Sequence, residues 1–469
     1  MKFNPNPILR VDSYKCSHFT MYPPGSEIVS SYIEARGCDL GWNETVALGV
    51  QGFVKQYLSD PITAADIDDA EARITAHGLP FNRAGWEIIL NEYKGFMPLA
   101  IEALPEGTVV GLRNVLVQMR NTDTRLPWLT SYFETALLRA VWYPTTVSTQ
   151  SREIKKTILG HLKATGCAPE AINFMLHDFG ARGVSSGESA GIGGFAHIVN
   201  FMGSDTLEGT EYARQFYGAE EMPAFSVQAT EHSTVTSWGR EREAEMYRHC
   251  ITSNPGKIGD MQIITSIVSD SYDIYNACAN IYGEELYDDV VALGQRGGRL
   301  VVRPDSGEPT VVPVECVKLL AGKFGSVENS AGYKVLPDFI RVLQGDGIDQ
   351  DSIDQILQSL AAEGFAAENM VFGMGGALLQ GINRDTLKFA MKASAIRING
   401  EWQDVYKDPI TSNTKKSKRG ILKYVNGETI RRDFDDTDMG DMQLVYYKGQ
   451  NWITVTTTLD EIRERAAIR

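Results

Sequence analysis

Six short motifs between residues 177 and 376 combine acidic residues, basic residues and glycines in a pattern typical of sites that bind phosphate and ribose. The motifs are HDFG, ATEH, SDSYD, RPDSG, QGDG and GMGG, and they begin at residues 177, 229, 269, 303, 344 and 373. Glycine turns allow backbone N–H groups to approach a phosphate at the start of a helix. Carboxylates suit the hydroxyls of a ribose, or the magnesium that accompanies a pyrophosphate. A single aspartate in such a turn is more often a helix cap, so the prediction depends on the motifs lying together.

His232, in the motif ATEH, is the candidate for proton or phosphoryl transfer. Histidine titrates near neutrality, and its ring nitrogen can accept a phosphoryl group. The carboxylate of the adjacent Glu231 is a candidate for orienting the ring. A structural histidine that precedes a helix is the alternative, and the residue type alone leaves both open.

An aromatic ring and two groups of charged residues suggest what the ligand looks like. Phe179 lies in a polar turn, where its ring packs either on a flat aromatic ligand or on the core. Asp205 is either a helix cap or an acceptor for a carboxamide NH₂. Arg384 and Lys392 follow GMGG and can neutralise a phosphate. The cationic loop 408–420 is either a solvated surface loop or a segment that closes over a polyphosphate.

The elements that position these motifs alternate between strands and helices. Apolar runs end near residues 178, 230, 270, 305, 346 and 375, and a helix-compatible segment follows each one. This rhythm predicts parallel strands in a closed or nearly closed β/α barrel, with the run 387–398 closing the series. The motifs then share the carboxyl-terminal mouth of the barrel, although an open doubly wound sheet would also bring them together.

The flanking segments predict a second, mixed structure. We expect residues 1–165 to form an α+β domain, residues 166–399 the barrel-like catalytic domain, and residues 400–469 short strands and a terminal helix that pack on the first domain. Helices are predicted near 64–77, 86–93, 130–142 and 148–162, and strands near 30–34 and 108–117.

Composition restricts the partners. The formal net charge of −15 over 469 residues argues against nucleic acid or an anionic membrane as a ligand. No apolar run has the length of a signal peptide core or a membrane span, so a cytoplasmic protein is expected. The six cysteines form no CxxC pair, which predicts neither a disulfide framework nor a zinc site.

Taken together and in order, the motifs resemble the nicotinamide phosphoribosyltransferase family. The segments that carry the resemblance are VDSYK, HDFGARGVSS, GSDT, EHST, VSDSYDIYNAC, RPDSG, QGDG, GMGGALLQ and KDPITSNTKKSKRG. The resemblance implies an irregular β/α barrel of the type II phosphoribosyltransferase class. It also implies synthesis of nicotinamide mononucleotide and pyrophosphate from nicotinamide and phosphoribosyl pyrophosphate in NAD salvage, with Mg²⁺, and with ATP hydrolysis coupled through a phosphohistidine. Active sites at the interface of a homodimer are part of the same expectation.

The resemblance also implies roles for individual residues. His232 would accept the phosphoryl group, Asp270 would lie near the reacting ribose carbon, and Asp305 would complete the catalytic set. The nicotinamide ring would stack between Phe179 and Tyr14 of the partner subunit, with its carboxamide bracketed by Arg182 and Asp205. The expected ribose and phosphate site comprises Arg36, Arg303, Asp305, Gly345, Asp346, Gly375, Gly376, Arg384 and Lys392. The direct metal ligands do not follow from the resemblance.

Four positions depart from the animal members of the family. Ala181 replaces a Tyr, Met374 a Ser, Ala377 a Gly, and Ala390 a Ser expected to contact phosphate. These departures bear on affinity and on the access tunnel more than on the reaction.

Two alternative functions remain at the level of sequence. The first is nicotinate phosphoribosyltransferase, against which Asp205 argues because a carboxylate repels the nicotinate anion. The second is a non-catalytic binding protein on the same scaffold, against which the presence of His232, Asp305 and Arg384 argues.

Overall fold

The computed structural model describes residues 6–411, 416–448 and 457–468, which form two main sheets with a separate core each. The first sheet is parallel and has seven strands in the spatial order β2-β1-β7-β6-β5-β4-β3. In chain order these strands are β1 Leu176–Asp178, β2 Gly203–Ser204, β3 Gln228–Ala229, β4 Ile264–Val268, β5 Arg299–Arg303, β6 Ile340–Gln344 and β7 Met370–Met374.

The parallel sheet closes into an irregular barrel. A parallel bridge between Gly203 of β2 and Phe225, three residues before β3, joins the two edges of the sheet. Its central strands β5 and β6 contain the apolar runs LVV and VL. Such runs are typical of parallel strands, which are enclosed on both faces, here by the interior of the barrel and by the surrounding helices. The predicted β/α barrel is confirmed. The helices of this region are Gly187–Ile198, Leu207–Tyr217, His232–Thr236, Glu243–Ser253, Ile274–Asn276, Tyr287–Gln295, Val312–Phe324, Gln350–Ala362 and Gly376–Leu379.

The second sheet is antiparallel and draws its six strands from both ends of the chain. Their spatial order is Glu401–Asp404, Ala390–Ile398, Ser26–Glu34, Val115–Asn121, Leu99–Ala103 and Gln443–Tyr447. Short strands accompany it at Glu44–Val46, Val109–Gly111, Ile421–Val425 and Glu428–Arg432, and the barrel carries short hairpin strands at Lys257–Ile258, Met261–Gln262, Val327–Glu328 and Lys334–Val335. The remaining helices are Val50–Phe53, Ala64–Ala76, Arg83–Glu92, Leu129–Tyr132, Glu134–Ala164 and Leu459–Ala466.

The prediction that the run 387–398 closes the barrel is wrong. Strand Ala390–Ile398 pairs antiparallel with Ser26–Glu34, with Ala390 opposite Glu34 and Lys392 opposite Tyr32. The reason is its side-chain pattern, because Lys392 and Arg397 need access to solvent on one face and a barrel strand would bury both faces.

One long helix, Glu134–Ala164, replaces the two helices predicted near 130–142 and 148–162. Pro144 and the following β-branched residues suggested a break, yet the helix runs through them because tertiary burial outweighs local propensity. Its first half packs in the core of the antiparallel sheet through Val141, and its second half in the barrel core through Val147 and Ile154. The helix therefore fixes the two sheets relative to each other.

The C-terminal segments bind to both units. Strand Gln443–Tyr447 extends the antiparallel sheet, whereas Leu459, Ile462 and Ala466 of the last helix pack in the barrel core. Among the described residues, no helix combines the length and the apolar character needed to cross a lipid bilayer.

Candidate active site

The carboxyl ends of β1, β2 and β7 lie side by side at the mouth of the barrel. Asp178, the last residue of β1, is paired with Met374 of β7 on one side and with Ser204 of β2 on the other. The motifs HDFG and GMGG are therefore neighbours in space, as the alternation of strands and helices predicted, and GSDT lies beside them.

Phe179 lies across the end of this sheet. Its backbone N–H donates to the carbonyl of Met374 at 2.9 Å. A Cβ placed on Gly373 would lie 2.0 Å from the Phe179 ring, and one on Gly345 would lie 3.7 Å from it. The absence of a side chain on Gly373 in β7 is thus what allows the ring to approach the strand this closely. The ring also lines the main cavity, so it contacts the sheet while remaining available to a ligand.

A cavity of about 570 Å³ runs through the barrel. Phe179, Asp205 and Arg303 line its upper end, and Arg299 and Arg341, at the start of β5 and β6, line its lower end. Most of the wall between them is apolar. These wall residues include Phe174, Phe225, Val227, Ile263, Ile264, Val301, Leu343 and Val371. A mainly apolar passage with polar groups at its ends suits a flat aromatic ligand.

Asp205 lies at this upper end and does not cap the following helix, whose N-cap residue is Thr206. Its backbone N–H donates to the carbonyl of Asp178 at 2.9 Å, and the hydroxyl of Ser226 donates to its Oδ1 at 2.5 Å. Ser266 of β4 also lines the cavity, and its buried hydroxyl has no hydrogen-bond partner among the described residues. Sequence reasoning missed both serines. A hydroxyl inside the apolar strand ITSIV was the only signal for Ser266.

His232 is paired with Asp270 across the mouth. The distance between His232 Nε2 and Asp270 Oδ1 is 2.8 Å; the carboxylate is 4% exposed and the ring 48%. This hydrogen bond fixes the orientation of the ring. Glu231, the expected orienting residue, instead accepts a hydrogen bond from the Ser233 hydroxyl. The partner of the histidine therefore comes from the next strand and not from its neighbour in sequence.

The loops after β3, β5 and β6 meet beside this pair. One guanidinium nitrogen of Arg303, Nη1, donates to the carbonyl of Thr230 at 3.3 Å, and the other, Nη2, lies 3.7 Å from Asp305 Oδ2. A Cβ on Gly345 would lie 3.4 Å from Asp305 Oδ1, so the loops RPDSG and QGDG are in contact. The backbone carbonyl of Asp346 accepts from the Gln344 side chain at 2.8 Å. A carboxylate and a guanidinium are thus held at the same edge.

The glycine turn GMGG adjoins the turn that carries Arg182. A Cβ on Gly183 would lie 2.8 Å from Gly376 Cα, and Gly375 precedes the short helix Gly376–Leu379. Arg182 is exposed at this junction. Met374 and Ala377, two of the positions that differ from the animal members of the family, lie in the same turn. The carbonyl of Met374 accepts a hydrogen bond from the Phe179 N–H, and that of Ala377 accepts one from the Gln150 side chain.

The other predicted residues lie on the antiparallel unit and do not line the cavity. Tyr14 is 57% exposed and makes an edge contact with His18, with ring centroids 5.1 Å apart. Arg36, Arg384, Lys392 and Lys407 form a cluster that we call the basic face. Burial lowers the pKa of Lys392, and the positive charges of Arg36, Lys407 and Arg384 lower it further, whereas the carboxylate of Glu134 raises it. The sequence-predicted site is therefore divided between two surfaces of one chain.

Two further expectations concern the loop 408–420 and the metal. Lys418 pairs with Glu34 and Arg419 lies over the Tyr406 ring at 3.4 Å, whereas residues 412–415 lie outside the described part of the chain. Within the described residues, no group of three or more His, Cys, Asp or Glu side chains has the geometry to hold a metal ion.

Comparison with known proteins agrees with the motifs. A model described as the nicotinate phosphoribosyltransferase family matches residues 174–440, and one for the N-terminal domain of nicotinamide phosphoribosyltransferase matches residues 6–101. The nicotinamide phosphoribosyltransferase of Xanthomonas campestris pv. campestris is 48% identical over 90% of this chain and 88% of its own length. The protein of the same name from Acinetobacter baylyi is 33% identical over 100% of this chain and 98% of its own.

A solved structure supports the fold independently. Nicotinate-nucleotide pyrophosphorylase from Pyrococcus furiosus superimposes with a TM-score of 0.58 over 99% of this chain and 97% of that chain, at 15% sequence identity. At this identity the likeness concerns the fold alone. The family models and the relative with 48% identity over most of both chains place this protein in the nicotinamide phosphoribosyltransferase family.

Proposed function

We propose that this chain transfers the phosphoribosyl group of phosphoribosyl pyrophosphate to nicotinamide, giving nicotinamide mononucleotide and pyrophosphate in NAD salvage. The observation that carries the proposal is the apolar cavity, which ends at Phe179 beside a carboxylate, Asp205, and two serine hydroxyls. An amide-bearing aromatic ring matches this set of groups in polarity and hydrogen bonding. Family membership supports the same substrate.

The nicotinamide ring stacks on Phe179 in this proposal, and its carboxamide NH₂ donates to Asp205. Ser226 already donates to Asp205 Oδ1, so the carboxylate has its other oxygen and remaining lone pairs available for the ligand. Ser266 Oγ and the Arg182 guanidinium are the groups suited to the carboxamide oxygen. The ring nitrogen then faces the mouth, where Arg303 and Asp305 hold the other substrate.

The transfer replaces a bond to pyrophosphate with a bond to the ring nitrogen at the anomeric carbon. Positive charge develops on the ribose as the anionic leaving group departs, so the protein must align both reactants and balance charge. Asp305 and the QGDG loop suit the ribose hydroxyls, and Arg303 and the GMGG turn suit the phosphates. Asp270, which is paired with His232 at the same mouth, is a carboxylate suited to the developing positive charge.

His232 is the residue through which ATP hydrolysis is coupled. With its Nε2–H donating to Asp270, the ring keeps its lone pair on Nδ1. The γ-phosphoryl group of ATP is transferred to this nitrogen and ADP departs, and water later takes the phosphoryl group from the ring. The exposed position of the ring leaves space for the nucleotide.

Magnesium fits the mouth as a companion of pyrophosphate and not as an ion in a protein cage. Mg²⁺ is commonly held by one or two carboxylates together with substrate phosphates and water, and Asp305, partly exposed beside Arg303, offers one such carboxylate. The ion neutralises charge on the leaving group when it is bound.

The division of the site between two surfaces supports a homodimer. Tyr14 and the basic face of one subunit would complete the mouth of the other, with Arg36, Arg384 and Lys392 around the phosphate and Tyr14 on the open side of the nicotinamide ring. The clustering of these cations supports this arrangement, because a bound phosphate would relieve the repulsion among Arg36, Arg384 and Lys392.

The direct experiment follows mononucleotide formation from phosphoribosyl pyrophosphate and Mg²⁺ with either nicotinamide or nicotinate, each with and without ATP. We expect synthesis from nicotinamide, a strong preference over nicotinate, and faster turnover with ATP. Preference for nicotinate would favour the sister activity, and no synthesis from either compound would favour a non-catalytic binding protein.

A further inference from the structure

The space between the Phe179 ring and the Asp205 carboxylate is called the ring slot below. Asp178 is a buried residue behind this slot, and its carboxyl group has no role in the function proposed above. It is 0% exposed, and its Oδ1 accepts a hydrogen bond from the backbone N–H of Gly180 at 2.7 Å. Its Oδ2 has no partner of normal geometry among the described residues, and the hydroxyl of Thr206, its polar neighbour, has none either. Burying a carboxylate with so few hydrogen bonds costs free energy, so the presence of a carboxyl group at this buried position requires an explanation.

The backbone around Asp178 connects the two walls of the slot. Phe179, the next residue, forms the aromatic wall of the slot. The Asp178 side chain accepts a hydrogen bond from the N–H of Gly180, the residue that follows Phe179. The carbonyl of Asp178 accepts from the N–H of Asp205, which carries the acidic wall. Asp178 therefore holds both the turn that orients the Phe179 ring and the backbone of Asp205, whose carboxylate faces that ring.

We propose that Asp178 is a positioning residue that sets the distance and orientation between Phe179 and Asp205, and so controls the affinity for the amide-bearing ring. The inference rests on the proposed function for the identity of the ligand. Asp178 touches neither the ligand nor the reacting atoms; it acts through the turn, and its ionised form holds Gly180 more strongly because charge-assisted hydrogen bonds exceed neutral ones.

The surroundings of Asp178 make its charge sensitive to pH. Burial raises the pKa of Asp178 to about 6, and the carboxylates of Asp205 and Glu208 add to the increase, while the Gly180 N–H and the Thr206 hydroxyl oppose it. Tyr143 of the long helix also faces it, and burial raises the pKa of that phenol beyond the physiological range. His177, on the same strand, has its pKa lowered by burial. The carboxyl is thus ionised at pH 8 and becomes protonated as the pH falls through about 6.

The test compares Asp178→Ala and Asp178→Asn with wild type in steady-state synthesis. The alanine variant loses the acceptor for Gly180, and we expect the KM for nicotinamide to rise about tenfold while the KM for phosphoribosyl pyrophosphate stays unchanged. The asparagine variant keeps an acceptor oxygen, so we expect its nicotinamide KM to stay within about threefold of wild type at pH 8. The nicotinamide KM of wild type should rise below pH 6, and that of Asp178→Asn should not.

Glu106 supplies a matched control. It is also a buried carboxyl that accepts from a backbone N–H, that of Gln51 at 2.7 Å, and burial raises its pKa, but it does not line the cavity. Glu106→Ala should lower stability without separating the two KM values. The proposal would be overturned if Asp178→Ala also lost stability without separating the two KM values, or if its nicotinamide KM were unchanged. It would also be overturned if Asp178→Asn kept the pH profile of wild type.

A direct binding measurement separates this inference from the proposed function. Calorimetric titration of nicotinamide into wild type and both Asp178 variants measures the affinity of the slot for nicotinamide and does not require turnover. Binding that weakens in Asp178→Ala supports the positioning role even if wild type makes no mononucleotide, which would by itself refute the proposed function. Equal binding by all three proteins would overturn the positioning role alone.

Discussion

The charged side chains of the barrel mouth and of the basic face differ in whether they have partners of opposite charge within the chain. At the mouth, His232 is paired with Asp270 and Arg303 lies near Asp305, so the candidate groups are oriented by partners from their own chain. On the basic face, Lys392 makes no salt bridge with any described residue, and burial and repulsion from Arg36 lower its pKa. Arg36 and Arg384 on the basic face have contacts of their own, with the Lys388 carbonyl and with Asp385, so the contrast with the mouth rests on Lys392. In the proposed homodimer, Lys392 would find its anion in the site of the partner subunit.

The sharpest test of the mouth is His232→Ala. We expect the variant to lose the whole ATP-dependent gain in turnover and to keep some ATP-independent synthesis, because the imidazole proposed to accept the phosphoryl group is removed while Arg303 and Asp305 remain. Mononucleotide formation with and without ATP, together with detection of phosphohistidine, provides the measurement. His249→Ala removes another exposed imidazole and serves as the control. Retention of the ATP effect in His232→Ala would exclude this residue from coupling.

The corresponding test of the basic face is Lys392→Ala. Loss of one charge-assisted contact to phosphate should raise the KM for phosphoribosyl pyrophosphate by about 10- to 100-fold and leave the KM for nicotinamide nearly unchanged. Lys423→Ala is the matched control, because Lys423 is already paired with Asp436 at 3.0 Å and Asp438 at 2.7 Å. Equal effects of the two substitutions would remove the distinction between the basic face and an ordinary charged surface.

Asp205→Asn produces a smaller change at the mouth. A carboxylate attracts the NH₂ of nicotinamide and repels nicotinate, so replacing it should reduce the preference for the amide by about 1–3 kcal/mol, measured as the ratio of kcat/KM values. Glu208→Gln makes the same change of charge one turn away on an exposed helix position. Undiminished amide selectivity in Asp205→Asn would assign discrimination to another group.

Much of the barrel could be predicted from the sequence, because its long strands are buried on both faces and end in polar motifs. Strands β4 to β7 each contain a continuous apolar run, and the motifs follow at their carboxyl ends. Strand β2 could not be predicted, since it consists of Gly203 and Ser204 and carries no apolar pattern. The strand Ala390–Ile398 was assigned to the wrong sheet because sequence periodicity reports burial and not the identity of the partner strand.

The contacts within the site were harder to predict than its members. The sequence placed His232 and Asp270 at one mouth, but it did not predict their hydrogen bond. That bond joins residues 38 positions apart and depends on the register of β3 and β4. Ser226 gave no signal of its own, because a serine in an irregular segment is linked to the site only by its contact with Asp205, and the motif HDFG did not reveal that the Asp178 side chain is buried and holds Gly180. Propensity also missed the long helix, whose Pro144 is buried where tertiary contacts decide the backbone.

The measurement that tests the central claim most directly is complementation between the two surfaces. Arg303→Ala damages the mouth, and Arg36→Ala combined with Lys392→Ala damages the basic face, so each homodimer should be nearly inactive at limiting phosphoribosyl pyrophosphate. A heterodimer isolated with two different affinity tags contains one fully wild-type site if each site uses the mouth of one subunit and the face of the other. We therefore predict about half of the wild-type activity in that heterodimer. A heterodimer no more active than either parent would contradict a site shared between subunits.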